Sequence, residues 1–113
     1  EPDDDEGTLA RMAHRVLTLR CFDGPQGRLS LSVQEMHGEI LSIPQPLTTL
    51  RRSAVGRPQL VSHDAYDEHA NLIWIRFNEA LQSGDVPVCE GRFGARMRVG
   101  SVADGPFQFT LQE

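Results

Sequence analysis

The sequence contains no lysine: all 11 of its basic residues are arginines. The arginine fork suits bidentate phosphate contacts, but we ascribe the complete absence of lysine to codon bias. Acids outnumber bases 16 to 11, for a formal net charge of −5. That balance excludes adhesion to nucleic acid through bulk charge and leaves room only for a local phosphate contact. No apolar run reaches membrane-spanning length, so no membrane partner is expected. The amino terminus is acidic rather than basic and apolar, which does not read as a signal peptide. The two cysteines, Cys21 and Cys89, are far apart and lack metal-type spacing. Reduced thiols in a cytoplasmic protein are the default, and a disulfide stays open. The four histidines, His14, His37, His63 and His69, pair with neither cysteine at zinc spacing. No serine sits in a nucleophile elbow and there is no glycine-rich phosphate loop, so no metal or cofactor is expected.

What is present reads as one globular domain over residues 1–113, with 39% hydrophobic and 24% charged residues. The opening Glu1-Pro2-Asp3-Asp4-Asp5 looks like a helix-capping loop without an initiator Met, and the expectation is a chain lacking its first strands. Acids at positions 3–6, then Leu9, Met12, Ala13, Val16 and Leu17, predict a helix from about Asp5 to Leu19. Asp23 to Gly27 reads as a turn, and Leu29, Leu31 and Val33 alternate with polar residues as in a half-buried strand. Met36-His37-Gly38 makes a second turn, and Glu39 to Ile43 a strand. Thr48 to Pro58 reads as a mobile basic loop.

Ser62 or Asp64 could cap a second helix. Its buried stripe is Tyr66, Ala70, Ile73, Phe77, Ala80 and Leu81, flanked by Trp74 and ended by Ser83-Gly84. Val86 to Cys89 reads as a short edge strand because of Pro87. Arg92 to Ala95 is a bend, Met97 to Val102 a strand, Ala103 to Pro106 a tight turn and Phe107 to Leu111 the last strand. The fold class is α+β with a mixed or antiparallel sheet.

One stretch stands out, Gly38 to Leu50, in which Pro44 and Pro46 bracket Gln45. Proline fixes φ and has no N–H, so the strand must leave its sheet near Ile43. A polar side chain held at such a strand end suits a site. A strand followed by a stiff loop is the plainer alternative.

The order of motifs resembles a known family, the D-aminoacyl-tRNA deacylases, also called D-Tyr-tRNA deacylases. The resemblance runs through Leu17-Thr18-Leu19-Arg20, Gly27 to Gln34, Gly38-Glu39-Ile40-Leu41, Gly56-Arg57-Pro58, Gly91 to Met97 and Asp104-Gly105-Pro106. It implies a β-barrel or mixed sheet with two helices packed on it, lacking its amino-terminal strands and acting as a homodimer. It also implies hydrolysis of the ester that joins a D-amino acid, or glycine, to the 3′ end of tRNA, a proofreading step of translation.

In that family a Ser-Gln-Phe-Thr-Leu motif and a cis Gly-Pro from the partner subunit line the pocket. Main-chain oxygens of the Gly-Pro reject L side chains, and the adenosine 2′-OH assists, so no side-chain nucleophile is required. Placed on this sequence, the resemblance makes Gln45 and the backbone N–H of Leu47 the catalytic groups. Pro44, Pro46, Met97, Gly105 and Pro106 would bind substrate, and Arg51, Arg52 and Arg57 the tRNA phosphates.

Only Gln45 of the first motif is retained. Pro46 removes a backbone donor, Leu47 replaces a hydroxyl, and Ala103 stands where the second motif has Asn. Loss of one oxyanion donor costs roughly 10²–10³ in rate. The alternative is therefore a catalytically impaired paralogue that serves as a binding or scaffold protein.

Overall fold

The computed structural model describes residues 5–45, 49–52, 58–61 and 68–112. The elements in chain order are α1 (Glu6–Thr18), β1 (Phe22–Gly24), β2 (Gly27–Leu31), β3 (Ile40–Ser42), β4 (Thr49–Arg52), β5 (Pro58–Val61), α2 (Glu68–Gln82) and β6 (Val88–Glu90).

Asp5 starts α1. Its backbone is extended (φ −85°, ψ 170°) and its Oδ1 accepts the N–H of Thr8 at 2.7 Å, satisfying one of the open donors of the first turn. That bond, above all, holds the Asp5 carboxyl below its ordinary range, because it favours the charged form. Leu9, Ala13 and Leu17 recur every four residues and are all buried, while Arg11, His14 and Arg15 are exposed. The stripe packs on α2. Ala13, Leu17, Val33, Leu81 and Val86 form the buried core, with Val16, Phe22, Ile40, Phe77, Ala80 and Val88 against it. The six-residue stripe expected of α2 matches at Ala70, Ile73, Phe77, Ala80 and Leu81, which are half-buried or buried. Tyr66 and the two cap candidates lie outside the described residues.

β1 and β2 form an antiparallel hairpin, with Phe22 opposite Leu31 and Gly24 opposite Gly27. The strand expected through Val33 ends at Leu31. Leu29 has φ 51° and is exposed, and Ser32 and Val33 are both buried, so the alternation breaks. The cause is a helical turn closed at both ends. Glu35 Oε2 accepts the Ser32 N–H at 2.8 Å while Ser32 Oγ accepts the Glu35 N–H at 3.2 Å, a reciprocal capping box. At the other end the N–H groups of Gly38 and His37 donate to the carbonyls of Val33 (2.9 Å) and Gln34 (3.1 Å), with His37 at φ 55°. This is a Schellman closure on a non-glycine residue. Gln34 Nε2 then donates to the Gly84 carbonyl at 2.9 Å, tying the turn to the end of α2.

β3 and β6 pair in parallel, with Ile40, Leu41 and Ser42 opposite Val88, Cys89 and Glu90. The second strand starts after Pro87, whose carbonyl accepts the Ile40 N–H at 2.9 Å; Pro87 has no N–H to donate to a ladder. The reading of Thr48 to Pro58 as a loop is corrected. Thr49–Arg52 pairs antiparallel with Pro58–Val61, Arg52 opposite Pro58, and residues 53–57 lie outside the described set. Pro58 is the first residue of its strand, where a missing donor is tolerated.

The described strands thus form three two-stranded sheets, two antiparallel and one parallel. The α+β class with mixed strand directions holds, and the described strands do not close into a barrel. The strands expected over 97–102 and 107–111 are absent, and the bend at Asp104-Gly105 has no ladder on either side. A strand needs a neighbour to take its N–H and C=O groups, and among the described residues none runs beside this stretch. Its end is held by Arg15, whose Nη1 donates to the Gln112 carbonyl at 2.7 Å. Among the described residues no helix is long and apolar enough to cross a membrane.

Candidate active site

The parallel pair β3–β6 ends where Pro44 and Gln45 begin. The ladder runs one bond past the strands, the Gly91 N–H donating to the Ser42 carbonyl at 2.8 Å. It then stops, since Pro44 has no donor to continue it. Gln45 emerges exposed from this end, and Pro44 is half-buried beneath it.

The wall beside this exit comes from the loop after β6. A Cβ on Gly91 would sit 3.0 Å from Met97 Sδ, 3.3 Å from Pro44 Cδ and 3.5 Å from the Ser42 carbonyl oxygen. The absence of a side chain at Gly91 is what lets Met97 and Pro44 close on the strand end. Met97 is held there by the Arg92 N–H, which donates to Sδ at 3.3 Å. On the other flank Trp74 of α2 donates its Nε1–H to Ser42 Oγ at 3.0 Å, and its ring lies 6.2 Å from that of Phe93, tilted by 34°. The arrangement is an apolar wall of Pro44, Met97, Phe93 and Trp74 around a strand end that presents one amide side chain. Among these residues the only hydroxyl, that of Ser42, is already engaged by Trp74.

Of the sequence-derived site residues, the structure brings Pro44 and Met97 together at Gly91, and Gln45 follows Pro44 in the chain, exposed. Pro46, Leu47 and Arg57 lie outside the described residues. Arg51 and Arg52 fall on β4, opposite Gln59 and Pro58. Gly105 and Pro106 lie in a second place, an open hollow of about 600 Å³ lined also by Phe22, Arg28, Met36 and Phe107. None of Pro44, Gln45 and Met97 lines it. Gly105 has φ 57°, a conformation that side chains resist, and nothing approaches within 4 Å of where its Cβ would be. The Gly105–Pro106 bond is trans, not the cis form that the family resemblance implies. Trans is the intrinsic preference of an X–Pro bond that no surrounding structure constrains. At the same hollow, burial pushes the Cys21 thiol up from its ordinary value.

The contributions of Ser42, Gly91, Phe93 and Trp74 are not among the sequence-derived site residues. One signal was available: Trp74 is the chain's single tryptophan, on the flank of the helix rather than in its stripe. Elsewhere, Glu35 is held below the ordinary carboxylate range by its bond from the Ser32 N–H and then by Arg20, whose Nη2 is 3.3 Å away. That carboxylate belongs to the capped turn.

A model of the family described as D-Tyr-tRNA(Tyr) deacylase matches residues 1–112. A curated relative from Bifidobacterium longum subsp. infantis, named D-aminoacyl-tRNA deacylase, is 49% identical over 109 residues, covering 96% of this chain and 67% of its own. One of the same name from Tolumonas auensis is 33% identical over 112 residues, covering 99% of this chain and 77% of its own. The chain spans 59–67% of the length of the Bifidobacterium relatives it matches. A solved structure titled c-Myc DNA Unwinding Element Binding Protein superposes with a TM-score of 0.74 at 28% identity, covering 93% of this chain and 71% of that one.

Proposed function

The chain belongs to the D-Tyr-tRNA(Tyr) deacylase family, and on that footing we propose that it hydrolyses the ester of D-aminoacyl-tRNA, or of mischarged glycyl-tRNA, releasing the free amino acid and tRNA. The observation that carries the reading is the strand exit of β3. Gln45, the residue retained from the family's first motif, is exposed there, directly after Pro44, whose ring and Met97 Sδ both stand close to Gly91. Water attacks the ester carbonyl carbon, the bond to the ribose 3′ oxygen breaks, and the proton from water passes to that oxygen. In our reading Gln45 and the backbone N–H of Leu47 hold the ester for this attack, and Pro44, Pro46 and Met97 bound the acyl pocket. The site then works by orientation and hydrogen bonding rather than by a side-chain nucleophile.

The enzyme is read as one domain over residues 1–113, acting as a homodimer on the 3′ end of tRNA in the cytoplasm. The dimer has support in the unpaired stretch 97–112. Val99, Val102, Phe107 and Phe109 are exposed there, and Gly105-Pro106 is at the bend between them. That bend would enter the partner's site and exclude L side chains. Arg51, Arg52 and Arg57 are the proposed phosphate contacts. The reading as a binding or scaffold protein is not favoured, because the relatives carry the name of a hydrolase.

The deciding measurement is deacylation of D-Tyr-tRNA and Gly-tRNA by the full-length protein. Turnover above the buffer rate is expected, falling roughly hundred- to thousand-fold in Gln45→Ala. No turnover on either substrate overturns the proposal.

A further inference from the structure

We propose that Trp74 is a positioning residue for the Gln45 exit, acting through Ser42; the inference rests on the deacylase reading of that site. Ser42 is the last residue of β3 and stands three residues before Gln45. It is held from two directions. Its carbonyl takes the Gly91 N–H at 2.8 Å from the ladder side, and its hydroxyl takes the Trp74 Nε1–H at 3.0 Å from the helix side. Pro44 removes the next backbone donor, so Ser42 is the last anchored point before the chain turns into the loop.

The indole is itself fixed. It is half-buried, and its ring meets Phe93 on the loop that carries Met97. Trp74 therefore links the strand end and the Met97 loop, the two parts of the acyl wall, to the rigid helix α2. A half-buried indole N–H requires a partner, and here that partner is the residue that sets the direction of the exit. The core does not explain this placement, since Ala13, Leu17, Val33, Leu81 and Val86 fill it without Trp74. A reaction that depends on orienting an ester is sensitive to small displacements of the exit.

The test is a double-mutant cycle in the full-length protein with Trp74→Phe, Ser42→Ala and the two combined. Kinetics of D-Tyr-tRNA hydrolysis are measured beside urea unfolding, which identifies any variant that fails to fold. Each single change is expected to lower kcat roughly three- to ten-fold, the range of one neutral hydrogen bond, with a smaller rise in KM. The double variant is expected to be no slower than the slower single, because both changes remove the same bond. Full kcat in a folded Trp74→Phe, or losses that multiply in the double variant, would overturn the inference.

If the unsubstituted protein does not hydrolyse the ester, the deacylase reading falls and calorimetric binding of a non-hydrolysable D-aminoacyl-adenosine analogue decides the positioning role. Binding weakened by both single changes supports it. Binding unaffected by them, or no binding by the unsubstituted protein, overturns it.

Discussion

The paired helices and the carboxy-terminal stretch 97–112 both carry recurrent apolar residues and end in opposite states. Along α1, Leu9, Ala13 and Leu17 are buried. Along the stretch, Val99, Val102, Phe107 and Phe109 are all exposed, Val102 at 99%. A helix satisfies its backbone hydrogen bonds within itself, so its stripe needs only one apolar surface to rest on. A strand must find both a ladder partner and an apolar face. Apolar sequence therefore makes structure within the chain in one place and leaves an exposed apolar surface in the other.

The contrast is open to direct attack, most strongly through Leu81, which is 1% exposed at the centre of the core. Leu81→Ala should cost about 2–5 kcal/mol of unfolding free energy, measured by urea denaturation; a loss no greater than that of a tail substitution would break the comparison. A smaller change of opposite sign is expected at Asn78. It is 0% exposed on α2, and neither its Oδ1 nor its Nδ2 finds a hydrogen-bond partner among the described residues. An unpaired buried polar group costs about 1–3 kcal/mol, so Asn78→Leu should raise the urea midpoint.

The capped ends provide a finer test through pH. The folded-state pKa values of Asp5 and Glu35 are lowered from ordinary values near 3.8 and 4.5. Their contribution is therefore present above about pH 4.5 and is lost as pH falls through the lower folded values. Asp5→Asn keeps a competent cap and Glu35→Gln keeps an acceptor, and each should flatten the acid limb of the stability profile. An unchanged acid limb would remove these caps from the account. The smallest effect belongs to the tail. Val102→Ser should leave unfolding of the protomer within about 0.5 kcal/mol, measured by urea denaturation at a concentration where the protein is monomeric.

Much of the molecule was legible because its signals are local. The acids before Leu9, the four-residue recurrence of Leu9, Ala13 and Leu17, the Ser83-Gly84 helix end and the proline that stops the ladder after Ser42 each act within one or two turns of chain. They placed both helices, the α+β class and the strand exit that carries Gln45. The strand through Val33 was misread because Ser32 and Glu35 were counted in an alternation when they were closing a turn. The hairpin of β4 and β5 was misread because arginines and glycine in the run suggested a loop, whereas pairing is decided across strands.

The sequence by itself determined where backbone donors run out, at Pro44 and Pro87, where α1 begins and where α2 ends, because those limits are set by the chemistry of single residues. Only the tertiary structure decided what stands around Gln45. Gly91 lets Met97 close on Pro44 because it has no Cβ, Trp74 reaches Ser42 across 32 residues, and Gly105-Pro106 lies in a different hollow. Neither spacing nor composition encodes these contacts. They exist because a parallel strand pair and a packed helix bring distant residues within hydrogen-bond and van der Waals reach.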